Sequence, residues 1–118
     1  MKTLLYGIAA ALLVTGVAAQ FAAEDHVVQI NEKAFQPGRL EIKVGEKVTW
    51  KNYDLVDHTV TAQTKPALPG EQGKPLFDSG VMKPGDMFSH TFAKEGTFEY
   101  ACTIHKGMTG TIVVAPLK

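Results

Sequence analysis

The sequence predicts an all-β fold, one domain of about eight short strands in two sheets packed face to face. Three observations predict it. The chain has 118 residues, room for one compact domain rather than two. Apolar and polar residues alternate with a period near two, not 3.6. Turn residues, among 11 Gly and 6 Pro, interrupt that alternation about every eight to twelve positions. Strands this short cannot leave their apolar faces open, so two sheets must bury them against each other.

The elements follow in order. Residues 1–19 read as a signal peptide, with Lys2 as the early charge, an apolar run from Leu4 to Val17, and small residues at Val17-Ala18-Ala19 for cleavage. That run is shorter than the roughly 20 residues that cross a bilayer, which makes a permanent anchor the weaker reading. The domain proper is then residues 20–118, exported to the periplasm. His26 to Asn31 and Arg39 to Val44 alternate as half-buried strands. Gly45-Glu46 turns the chain into Lys47 to Tyr53, where Val48 and Trp50 share a face and Trp50 is expected at the centre of the core. A strand at His58 to Gln63 precedes a Pro- and Gly-rich loop over Thr64 to Pro75, a short run from Phe77 to Gly80, and a turn at Lys83-Pro84-Gly85-Asp86. Met87 to Phe92, Thr97 to Cys102 and Thr109 to Ala115 complete the set. The charged residues at 41, 43, 46, 47 and 51 read as a solvated sheet face.

Composition narrows function. Lys plus Arg and Asp plus Glu both total 12, so no basic field exists to attract nucleic acid. Cys102 is the one cysteine, which excludes an intrachain disulfide, a CxxC pair and a Cys-rich zinc module. It also lies far from the cleavage site, which excludes a lipoprotein anchor.

The informative stretch is Cys102-Thr103-Ile104-His105-Lys106-Gly107-Met108, between the last two strands. Thiolate, imidazole and thioether recur every three residues, so a tight loop can turn all three toward one centre, with Gly107 permitting the backbone it needs. His58 supplies a second imidazole at the start of its strand. Two imidazoles and a thiolate in a trigonal plane, with a weak axial thioether, form a mononuclear electron-transfer copper site.

With Val44-Gly45-Glu46-Lys47-Val48-Thr49-Trp50, Asp57-His58-Thr59-Val60, Phe77-Asp78-Ser79-Gly80 and Gly96-Thr97-Phe98-Glu99-Tyr100, the chain resembles the cupredoxins, or type 1 blue copper proteins. The amicyanin, plastocyanin and pseudoazurin branch is nearest, and the short Cys-x-x-His-x-x-Met loop is most similar to that of amicyanin. The resemblance spans about Val28 to Ala115 and implies a Greek-key β-sandwich. It also implies one copper ion cycling between Cu(I) and Cu(II), held by His58, Cys102, His105 and Met108. It implies a monomer that shuttles single electrons between redox proteins, such as a periplasmic dehydrogenase and a c-type cytochrome. The edge of His105 then serves as the electron port, lined by Thr103, Ile104, Lys106 and Gly107. Three positions depart from the branch: Lys106 stands where proline is common, Thr59 where asparagine is common, and Ala101 where an aromatic or histidine is common.

The remaining candidates read as structural: His90 as a core-facing or edge histidine, His26 as solvated, Met82 and Met87 as gap-fillers. A closed set of four donors leaves no open position for a substrate, so no enzyme is expected. Copper storage or delivery is the alternative use of the same site. A zinc site or a cysteine nucleophile fits less well, because methionine is a poor zinc ligand and no acyl-transfer constellation accompanies Cys102.

Overall fold

A computed structural model describes residues 25–63 and 75–117 of the chain. The expected signal peptide and most of the 64–75 loop lie outside the described residues. Among the described residues eight strands form: β1 (Asp25–Asn31), β2 (Ala34–Gln36), β3 (Arg39–Lys43), β4 (Lys47–Asn52), β5 (Thr61–Ala62), β6 (Met87–Thr91), β7 (Gly96–Ala101) and β8 (Thr109–Ala115). They make two four-stranded sheets, ordered β2-β1-β4-β6 and β3-β8-β7-β5. β1 lies parallel to β4 and β3 parallel to β8, while the other pairs are antiparallel. From β2 to β7 successive strands alternate between the sheets, the crossing expected of a Greek-key sandwich.

Alternation puts the inward residues together. Val28 and Ile30 of β1, Val48 and Trp50 of β4, and Ile112 and Val114 of β8 are buried while their neighbours face outward. Burying a side chain such as Ile30 or Ile112 completely stabilises the fold by roughly 1.5–3 kcal/mol, and this holds the sheets face to face. Trp50 stands at the centre, as expected. Its ring meets Tyr100 of the facing sheet edge-on at 5.3 Å, and Phe77 and Phe88 at 5.7 and 5.8 Å. Tyr100 is paired across β7 and β8 with Gly110, and a Cβ at 110 would overlap the tyrosine's Cζ and hydroxyl. Glycine is required there for space rather than for backbone angle.

Three segments differ from expectation. Ala34–Gln36 forms a strand where none was expected, because Glu32 and Lys33 both take positive φ (53° and 56°) and fold it back onto β1. The expected strands at 58–63 and 77–80 shrink to β5 and two isolated bridges, His58 with Met82 and Thr61 with Asp78. The physical reason is that backbone N–H groups there bond elsewhere: Thr59 to the Cys102 sulfur and Val60 to the Ser79 hydroxyl.

Three side chains also differ. His26 is not solvated but bonds Glu46 at 2.9 Å, and Glu46 also accepts the Lys43 N–H, so Glu46 is not part of an open charged face. Met87 points outward, 63% exposed, while Met82 fills the core. His90 is half-buried against the rings of Phe77 and Phe92, as expected of a structural histidine.

Candidate metal centre

The centre forms at one end of the sandwich, where the chain entering β5 meets the loop between β7 and β8. His58 is held there by a two-way backbone bridge, its N–H to the Met82 carbonyl at 3.0 Å and the Met82 N–H to its own at 2.7 Å. The 102–108 loop closes on itself through the Cys102 N–H, which donates to the Met108 carbonyl at 2.9 Å. Gly107 turns that loop at φ 82°, a left-handed conformation that other residues adopt at a cost.

Three donor atoms converge. The Nδ1 atoms of His58 and His105 each lie 3.7 Å from the Cys102 sulfur, and all three donors fall within 4.8 Å of one another. Metal–imidazole and metal–thiolate bonds of about 2.0 and 2.3 Å, opened to about 120°, separate nitrogen from sulfur by about 3.7 Å. The residues therefore fit a metal in a trigonal His₂Cys arrangement, the set that selects copper. Met108 is buried beside them through the backbone bond just described. Thr103, Ile104, Lys106 and Gly107 are exposed and His105 is half-exposed, so the expected port residues do reach the surface.

Electrostatics suit a thiolate. Burial alone pushes the Cys102 thiol up, but the Thr59 N–H, the two imidazoles and the Ile104 N–H outweigh it and bring the thiol down to about 6. The sulfur is thus prepared to bind as an anion.

Thr59 joins the two ligand segments. Its hydroxyl accepts the Thr103 N–H at 2.8 Å and the Thr61 hydroxyl at 3.2 Å, and lies 3.1 Å from the Thr103 hydroxyl. One donor and two acceptor sites are all used. The departure from asparagine thus preserves a tie between the loops.

Sequence reasoning missed two residues that support His58. Asn52 is buried, its amide donates to the carbonyls of Val56 and Met82 at 2.9 and 3.0 Å, and its oxygen accepts the Asp54 N–H at 2.9 Å. Asp54 accepts the Nε2–H of His58 at 2.7 Å. Burial raises the Asp54 carboxyl, but bonds from Lys33, His58 and Glu32 exceed that and hold it below the usual carboxylate range. A signal for Asn52 was present: it continues the inward parity of Val48 and Trp50, where a polar residue demands a partner.

With this geometry established, the comparisons agree. Residues 22–115 match the family of copper binding proteins described as plastocyanin/azurin. The chain belongs to that family. Amicyanin of Paracoccus denitrificans is 34% identical over 97 residues, 82% of this chain and 70% of that protein. Plastocyanin of Scenedesmus fuscus is 34% identical over 83 residues, 68% of this chain and 85% of that protein. Among solved structures, a purple cupredoxin from Nitrosopumilus maritimus superposes with a TM-score of 0.63 at 32% identity, covering 77% of this chain and all of that one. A reduced amicyanin variant gives 0.66 at 34%, covering 83% and 89%. The amicyanin and plastocyanin relatives are electron-transfer cupredoxins with one type 1 copper, and this cupredoxin presents the His/Cys/His set for it. Among the described residues no helix is long and apolar enough to cross a membrane.

Proposed function

We propose that this cupredoxin is an exported electron shuttle in which His58, Cys102, His105 and Met108 hold one copper ion and the edge of His105 passes the electron. The observation that carries the reading is the pair of imidazole nitrogens, each 3.7 Å from the single thiol. Copper, when bound, supplies a one-electron Cu(I)/Cu(II) couple. The chain's own residues do the rest. His58 and Cys102 are buried, which would keep water away from the copper. His105 is half-exposed beside Ile104, itself 47% exposed, which brings its ring edge within reach of a partner. Met108, buried and bonded through its carbonyl to the Cys102 N–H, would hold the copper as a weak thioether donor and so tune its potential.

Kinship with amicyanin supports a periplasmic location and redox proteins as partners, a dehydrogenase donor and a c-type cytochrome acceptor; the apolar run ending in Val17-Ala18-Ala19 supports a mature chain starting at Gln20. The closed donor set supports a carrier rather than an enzyme.

The test is an optical and EPR spectrum of the domain after adding Cu(II), beside Cys102→Ala. An intense visible thiolate-to-copper band with narrow parallel hyperfine splitting, both lost in the variant, is the expected result. Only the weak bands of ordinary Cu(II) would overturn the reading. Met108→Gln should keep the band and lower the potential; an unchanged potential removes Met108 from the ligand set.

A further inference from the structure

The two imidazoles differ on their far sides. His58 is completely buried and its Nε2 meets Asp54 Oδ2 at 2.7 Å. Among the described residues no group bonds the other ring nitrogen of His105. Asp54 is itself gripped from a distance in sequence. Its Oδ1 accepts the Glu32 N–H at 2.6 Å and its Oδ2 the Lys33 N–H at 2.8 Å. Those two residues form the β1–β2 turn, and both hold left-handed backbone without being glycine or asparagine. Such a turn needs outside support, and the carboxylate supplies it by binding both N–H groups at once. The same carboxylate leaves the His58 ring one orientation and one tautomer, with the proton on Nε2 and the lone pair on Nδ1 facing the sulfur.

We propose that Asp54 is a positioning residue for the centre, clamped by the Glu32–Lys33 turn. Through Nε2–H it strengthens His58 as a donor to the oxidised metal, so the β1–β2 turn helps set the preference between oxidation states. This rests on the reading of His58 as a ligand. A carboxylate behind a metal-bound imidazole raises its basicity, and loss of such a partner costs about 10–100-fold in metal affinity. The oxidised ion carries the greater charge and loses more. Each tenfold loss of Cu(II) over Cu(I) affinity raises a one-electron potential by about 59 mV.

The test measures three quantities in the full-length mature protein and in Asp54→Asn: the copper potential, the Zn(II) affinity by competition, and the ¹⁵N shifts of the His58 ring in the zinc-loaded protein. The expected results are a potential raised by the equivalent of about tenfold, zinc affinity lowered about tenfold or more, and altered His58 Nε2 shifts, with Asp54→Glu restoring all three. A second background, Glu32→Asn with Lys33→Gly, makes the turn favourable by itself and keeps the fold should Asp54→Asn alone unfold. There, the same changes on Asp54→Asn assign them to the imidazole bond. A parent protein with the thiolate–copper band, but no change in potential, zinc affinity or His58 shifts, overturns the proposal alone. A parent without that band overturns the ligand reading and the proposal with it.

Discussion

The two segments that bring histidine to the centre are built in opposite ways. Around His58, bonds interlock in depth: Asn52 holds Val56, Met82 and Asp54, Met82 holds His58, and Asp54 holds the ring. Around His105, the loop is pinned at its ends, by Cys102 to Met108 and by Thr103 to Thr59, and residues 103, 104, 106 and 107 face outward. One arm fixes geometry and the other presents it. An electron carrier needs both, since a donor set must stay still while its edge meets a partner.

The largest blow to this contrast should come from Asn52→Ala. It strips the Val56 carbonyl and the Asp54 N–H of their partner and the Met82 carbonyl of one of its two, and at about 1–3 kcal/mol for a buried group left unsatisfied it should cost about 3 kcal/mol in urea unfolding of the metal-free protein. Thr59→Val comes next. It removes the hydroxyl tie between the arms but leaves the Thr59 N–H on the Cys102 sulfur, so about 1 kcal/mol is expected, together with slower electron self-exchange by NMR line broadening. Equal costs for the two variants would erase the distinction between a deep arm and a pinned one.

The smallest effect lies outside both arms. Burial against Phe77 and Phe92 lowers the His90 pKa below its ordinary value of 6.5. The unfolded chain therefore binds the proton more readily, and this contribution to stability is complete above about pH 6.5 and lost as pH falls through the lower folded value. Urea midpoints at pH 5 and 7.5 should lie closer together in His90→Gln than in the parent. An undiminished gap would place the acid sensitivity in another group.

The sandwich and the meeting of thiol with imidazole were legible because they rest on local pattern: alternation in β1, β4 and β8, and the three-residue spacing of Cys102 and His105. What escaped was fixed from far away. β2 depends on a turn at Glu32–Lys33 that carries no Gly or Asn signal and is held by a carboxylate more than 20 residues downstream. The strand expected from His58 lost its ladder because the Thr59 and Val60 N–H groups were taken by a sulfur 43 residues on and a hydroxyl 19 residues on. Spacing could bring the Cys102 thiol and the His105 imidazole together; it could not show which neighbours would aim them.

The rung where Tyr100 lies over Gly110 has a consequence for descent. The ring fills the place of any side chain at 110, so a lineage that keeps the tyrosine is confined to glycine opposite it. Alanine at 110 becomes an accessible step only after residue 100 has shrunk, and the first step in that order opens a hole beside Trp50. The two positions are heritable as a pair, and the order of substitution decides which descendants can fold.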